Sequence, residues 1–123
     1  MKYLLIIPVA LFLVGCCGEN YVKEMEGLSQ KTTDKLLTFY QTKHKYPKIN
    51  ERNSILESLG CKMISENVCS FNGRKISVES KIYLKNYRIY FTMGKNFCDF
   101  GINEDGSIDN VSCRKDDCIS LKQ

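Results

Sequence analysis

The chain has 123 residues, of which 18 are lysine or arginine and 14 are aspartate or glutamate, giving a formal net charge of +4. So mild a positive charge argues against a dedicated nucleic-acid surface, which would need a strongly basic patch. A chain of this length has room for one domain with one modest core.

The first twenty residues have the order of an export signal. Lys2 supplies a positive charge, residues 3–14 form an unbroken apolar run, and small residues and cysteines follow. The run is shorter than the roughly 20 residues that a membrane-spanning helix needs, and the order is that of a signal peptide. The cleavage zone resembles the lipobox of bacterial lipoproteins, through Leu13, Val14, Gly15 and Cys16.

The resemblance to bacterial lipoproteins implies a specific fate for Cys16. In that family the cysteine sulfur receives diacylglycerol and the preceding bond is cut, so residues 1–15 would be removed and residues 16–19 would form the anchor. Two acyl chains hold a protein stably on a membrane. We expect a cell-envelope lipoprotein with its single domain, residues 20–123, on the periplasmic or extracellular side. An ordinary secretory signal or an uncleaved anchor is the alternative, and neither explains the cysteine at position 16.

The segment after the anchor has helical periodicity. Apolar residues recur at intervals of three and four from about Asn20 to Lys45, which predicts one amphipathic helix. Pro47 would end it, because the residue before a proline is pushed out of the helical region. A second, shorter helix is predicted from about Arg52 to Leu59.

After Cys61 the apolar residues alternate with a period of two, which predicts strands. The turn signals are four pairs of residues: Asn72-Gly73, Lys85-Asn86, Gly94-Lys95 and Asp105-Gly106. Hairpins closed at these turns would align one apolar row across an antiparallel meander: Ile82, Ile89, Phe100 and Val111. The same register places Leu84 opposite Tyr87, and Cys98 opposite Cys113. The expected fold class is α+β, with the long helix covering the apolar face.

Six cysteines remain after Cys16, and an even number in an exported domain indicates disulfides. The chain has one histidine and no Cys-x-x-Cys pair, which disfavours zinc and thiol redox chemistry. We prefer to pair Cys61 with Cys69 and Cys98 with Cys113. Cys17 and Cys118 would form a third bridge, and a Cys98 to Cys118 link is the chief rival.

A helix that runs into Tyr40, five residues, Tyr46 and Pro47, followed by an antiparallel sheet, resembles the soluble domain of type IV pilins and pseudopilins. The resemblance implies a pilin-like fold, with a long N-terminal helix packed on a β-meander. One departure concerns assembly. Pilins retain their apolar segment inside a filament, whereas here it precedes the cleavage point, so the resemblance supports a fold more than filament assembly.

The sequence contains no recognisable catalytic constellation. His44 lies between two lysines at the end of the predicted helix, which is typical of a solvated side chain. The polar face of the predicted sheet carries Tyr83, Arg88 and Tyr90, residue types that are enriched at protein interfaces. Strand propensity alone also places aromatic residues on exposed strands.

We therefore expect a noncatalytic, lipid-anchored binding or assembly module, accessory to a pilus-like secretion or DNA-uptake system. Its partners would be the membrane, through the lipid on Cys16, and a protein that contacts Tyr83, Arg88 and Tyr90. We expect no cofactor, metal, nucleic acid or small-molecule substrate. The alternative is a small defensive lipoprotein, either an inhibitor of a foreign hydrolase or a phage or plasmid exclusion factor.

Overall fold

A computed structural model describes residues 21–115, which form two helices and six strands. The bounds are α1 Val22–Lys43, α2 Ile49–Ser58, β1 Lys62–Ser65, β2 Val68–Phe71, β3 Arg74–Ile82, β4 Asn86–Met93, β5 Asn96–Asn103 and β6 Ile108–Lys115. The strands form one antiparallel sheet in sequence order. The predicted signal, Cys16, Cys17 and Cys118 lie outside the described residues.

The predicted fold class, a long N-terminal helix on a pilin-like meander, is wrong in that form. The described chain has two helices and a six-stranded sheet, with 43% of its residues in strands. Its longest helix, α1, has 22 residues. Helix α1 ends at Lys43, because His44 adopts the left-handed conformation, with φ 58°, and its N–H donates to the Tyr40 carbonyl at 2.8 Å. The pilin-like fold is therefore not retained.

Three of the four predicted turns give strand pairs that the structure contains. Cys69 lies opposite Ile76 across the turn at Asn72 and Gly73. Beyond the next confirmed turn, Phe91 lies opposite Cys98 and Ile89 opposite Phe100. The last hairpin places Cys98 opposite Cys113.

The turn between β3 and β4 and the apolar row across the sheet were predicted wrongly. The β3–β4 turn is at Leu84 and Lys85, where the Tyr83 N–H donates to the Asn86 carbonyl at 2.8 Å. Tyr87 therefore lies opposite Ile82 instead of Leu84. A second departure is a bulge in the β5–β6 ladder between Asp99 and Gly101, which interrupts the predicted pairing of Phe100 with Val111.

The core lies between the helices and one face of the sheet. Buried α1 residues such as Met25, Leu28 and Leu36 share a cluster with strand residues such as Phe91 and Phe100, whose rings meet edge to face at 4.9 Å. Both disulfides that the sequence favoured are present in this core: Cys61–Cys69, with Cα atoms 5.4 Å apart, and Cys98–Cys113, with Cα atoms 4.1 Å apart.

Candidate partner-binding face

The face of the sheet that points away from the core cluster carries Arg88, Tyr90 and Phe97, and we call it the open face. Along β4, buried residues such as Ile89 and Phe91 alternate with partly exposed residues such as Arg88 and Tyr90. Alternate residues of a strand point to opposite faces, so Arg88 and Tyr90 lie on the open face. Tyr83 follows β3 immediately and joins them there.

Aromatic side chains run diagonally across the open face. The Tyr83 and Tyr90 hydroxyl oxygens are 3.0 Å apart and share a hydrogen bond. The ring of Tyr90 is 6.1 Å from that of Phe97 on β5, and the Arg114 guanidinium lies 5.0 Å above the Phe97 ring. The structure thus brings the two predicted tyrosines together and extends them with Phe97 and Arg114, which the sequence reasoning did not select. The period-two pattern of β5 was the available signal for Phe97, because Phe97 and Asp99 share a face.

The hydrogen bond between the tyrosines changes the pKa of Tyr90. The bond to Tyr83 raises the pKa of Tyr90 to about 12, and desolvation adds to that rise. Arg88, which is nearby, opposes it. The Tyr90 hydroxyl therefore remains protonated near neutral pH and can donate to a partner.

Arg88 is paired with two carboxylates on this face, and its role as a contact residue stays a prediction. Its Nε and Nη2 donate to Asp99 Oδ1 at 2.8 and 2.5 Å, and its Nη1 donates to Asp109 Oδ2 at 2.5 Å. The side chain is 19% exposed. Burial alone would lower the pKa of Arg88, but the hydrogen bond to Asp99 and the charges of Asp99 and Asp109 outweigh it, so the pKa of Arg88 is raised. Arg88 therefore links β4 to Asp99 on β5 and Asp109 on β6, and we call this structural role a brace.

Other sequence-selected features are unremarkable in the structure. His44 is exposed at the end of α1. Within residues 21–115, no group of three acidic, histidine or cysteine side chains is placed to hold a metal ion, and neither helix has the length and apolar character needed to cross a membrane.

Comparison with known proteins gave no relative from which to transfer a role. No protein-family model, no curated protein and no solved structure matches this chain. The function is therefore argued from the geometry of the chain's own surfaces.

Proposed function

We propose that this protein is a lipid-anchored, noncatalytic binding module of the bacterial cell envelope, and that it binds a protein partner through the open face. The observation that carries this proposal is the hydrogen-bonded pair of exposed Tyr83 and partly exposed Tyr90 on a sheet face that neither helix covers. Tyrosines contribute large contact areas at low entropic cost and are frequent at the energetic centres of interfaces.

The two disulfides support the extracytoplasmic part of the proposal. Structural disulfides persist in oxidising compartments and are rare in the bacterial cytoplasm. The lipobox at Cys16 supports the anchor. An accessory role in a pilus-like system rested on the pilin-like fold and loses that support.

The structure also changes how the open face should be tested. Removing Arg88 would strip two carboxylates of their partner, so a variant that includes it would lose stability together with any contact. A cleaner variant replaces only Tyr83 and Tyr90 with serine. Its matched control is Phe39→Ala, which removes a partly exposed aromatic ring from the outer side of α1.

The experiment is cross-linking and capture from bacterial membranes, with each variant at equal folded amount. We expect the double tyrosine variant to lose most of its cross-linked partner and Phe39→Ala to retain it. Equal capture by the wild type and the double variant would exclude the open face as the binding surface. Loss in both variants would indicate a nonspecific apolar contact.

A further inference from the structure

Arg52 on α2 is a buried cation without an acidic partner. The side chain is 1% exposed, and no carboxylate of residues 21–115 lies within 4.0 Å of it. Arginine is almost never fully buried unless it is paired, because removing the charge from water is costly. Burial lowers the pKa of Arg52, and the nearby Glu66 and Tyr87 only partly oppose that effect.

Neutral acceptors hold the guanidinium in place. Nε and Nη2 donate to Asn53 Oδ1 at 3.0 and 2.9 Å, Nη2 also donates to the Glu66 carbonyl at 2.7 Å, and Nη1 donates to Ser80 Oγ at 2.9 Å. A further weak bond joins Nη2 to Asn67 Oδ1 at 3.3 Å. A guanidinium has five N–H donors, so one Nη1 hydrogen has no acceptor among the described residues.

A second buried polar group, the Tyr87 hydroxyl, lies beside Arg52 and Ser80. Burial raises the pKa of Tyr87, whereas an interaction with the Ser80 hydroxyl and the charge of Arg52 oppose the rise. Among the described residues, the cluster therefore has a positive charge that no carboxylate balances and one guanidinium hydrogen without an acceptor.

Two members of the cluster, Arg52 and Ser80, border a pocket at the edge of the sheet, whereas Tyr87 does not. Arg52 and Ser80 line a pocket of about 450 Å³ together with Ile49, Asn67 and Val68. The carboxylate of Glu79 is also on its wall, but Lys81 lies 3.8 Å from that carboxylate and offsets its charge.

Beside this pocket, the backbone of β3 has an unpaired edge. The last bond that β3 makes on the β2 side is from the Val78 N–H to the Asn67 carbonyl, at 2.8 Å. From Glu79 to Ile82, β3 pairs only with β4. In an antiparallel sheet, the backbone groups of alternate residues point to the same neighbouring strand. The N–H and C=O of Ser80 therefore point, like those of Val78, to the β2 side of β3, where β2 no longer pairs with it. An extended peptide could add there as a strand.

We infer that this pocket binds the carboxylate at the C-terminus of an extended peptide, with Arg52 as its counter-charge and the edge of β3 at Ser80 as its backbone partner. A carboxylate supplies the missing negative charge and accepts from the free Nη1 hydrogen. Charge-assisted hydrogen bonds of this kind are the stronger ones in proteins. The pocket and the tyrosine pair share Tyr90, whereas Arg52 and Ser80 belong to the pocket alone.

The test is isothermal titration calorimetry of the full, lipidated protein in neutral detergent micelles. The probes are acetyl-Ala-Val-Val with a free carboxylate, the same peptide as its C-terminal amide, and sodium acetate, all at matched ionic strength. We expect saturable binding of the acid and a loss of roughly tenfold or more in affinity for the amide. Tighter binding of the acid than of acetate supports a peptide as the source of the carboxylate, and binding of acetate as tight as the acid overturns the peptide part of the inference.

Variants distinguish this pocket from general cation binding. Ser80→Pro, which removes the backbone N–H at the unpaired edge of β3, and Arg52→Lys should each weaken binding of the acid. Ser80→Ala keeps that N–H and should not weaken binding, and neither should Lys75→Ala, which removes an exposed cation from the same strand. If Arg52→Lys does not fold, Ser80→Pro decides the matter alone. Equal binding of acid and amide, the absence of saturable heat, or unchanged affinity in folded Ser80→Pro would overturn the inference.

Discussion

Arg88 and Asp109 belong to strands that are not neighbours, and the Arg88 guanidinium reaches Asp109 by crossing β5 at Gly101. Arg88 lies opposite Gly101 in the β4–β5 ladder, and Gly101 lies opposite Asp109 in the β5–β6 ladder. A glycine at the middle position leaves the path between the two charges open. The ion pair between Arg88 and Asp109 thus depends on Gly101, which has no side chain to block it.

Gly101→Ala should destabilise the domain strongly. A Cβ at this position would lie 2.1 Å from the Tyr87 carbonyl oxygen and 3.0 Å from the Arg88 Cα, and these backbone atoms cannot move without disturbing β4. We expect a loss of about 2 kcal/mol or more in the free energy of unfolding, measured in urea. The control is Gly27→Ala in α1, where a Cβ meets nothing within 4 Å, and a gain of about 0.5–1 kcal/mol is expected. A near-neutral Gly101→Ala would contradict the close backbone approach.

Arg88→Met should lower stability through the two carboxylates that it leaves behind. Hydrogen bonds to charged groups contribute roughly 1.5–3 kcal/mol, and we expect a loss in that range from urea unfolding. Lys81→Met is the control, because Lys81 is an exposed residue 3.8 Å from Glu79 and such pairs contribute about 0–1 kcal/mol. Equal effects of the two substitutions would show that Arg88 is not a brace.

The hydrogen bond between the tyrosines predicts that the Tyr83 hydroxyl controls the pKa of Tyr90. Because the pKa of Tyr90 in the fold is about 12 and its ordinary value is 10.0, folding favours the protonated phenol. The associated stability is present below pH 10 and is lost as the pH rises through 12. Tyr83→Phe should move the Tyr90 pKa back toward 10, as measured by NMR of the ring carbon that bears the hydroxyl. An unmoved Tyr90 pKa would mean that the Tyr83 bond is not its cause.

The strand register could be predicted wherever a turn had a strong local signal, as at Asn72 and Gly73. At the β3–β4 turn the local signal was weak, and packing decided the register. The observed register pairs Val78 with Phe91, both buried, whereas the predicted one would have paired Phe91 with Ser80. The side chain of Leu84 is left 92% exposed in the turn, which a burial pattern cannot anticipate.

The candidate sites were predictable to different degrees for a related reason. The two tyrosines could be placed on one face from alternation alone. The brace role of Arg88 depends on a bulge and on the glycine opposite it, and neither follows from the period of the strands. Arg52 was predicted only as the first residue of the second helix, because a buried guanidinium held by amide, carbonyl and hydroxyl oxygens leaves no pattern in the sequence.

The disulfides should contribute by constraining the unfolded chain. The Cys98–Cys113 loop spans 15 residues and the Cys61–Cys69 loop spans 8, for which the chain-entropy estimate gives about 3 and about 2.5 kcal/mol. Replacing each pair with alanine should lower the free energy of unfolding in that order. Peptide mapping without reduction should also find Cys17 linked to Cys118, and a Cys98 to Cys118 link would contradict the observed pairing.

Lipid attachment should depend on one of two adjacent cysteines. Cys16→Ala should abolish incorporation of labelled fatty acid and retention in the membrane fraction, because only Cys16 stands at the lipobox position. Cys17→Ala is the matched control and should leave both unchanged. Labelling that persists in Cys16→Ala would remove the basis for the anchor.

The contact between Tyr21 and Arg74 places the N-terminal end of the described domain beside the start of β3. The Arg74 guanidinium lies 3.8 Å above the Tyr21 ring, so the chain enters the domain beside the first residue of β3. Tyr83 follows the nine residues of β3 that begin at Arg74, at a distance of about 30 Å along the strand. With a lipid on Cys16, five residues before Tyr21, the tether would join the domain at the end of β3 opposite to Tyr83. Tyr90 lies opposite Glu79, about midway along that strand, so a partner that contacts both tyrosines would bind over the half of β3 farther from the tether.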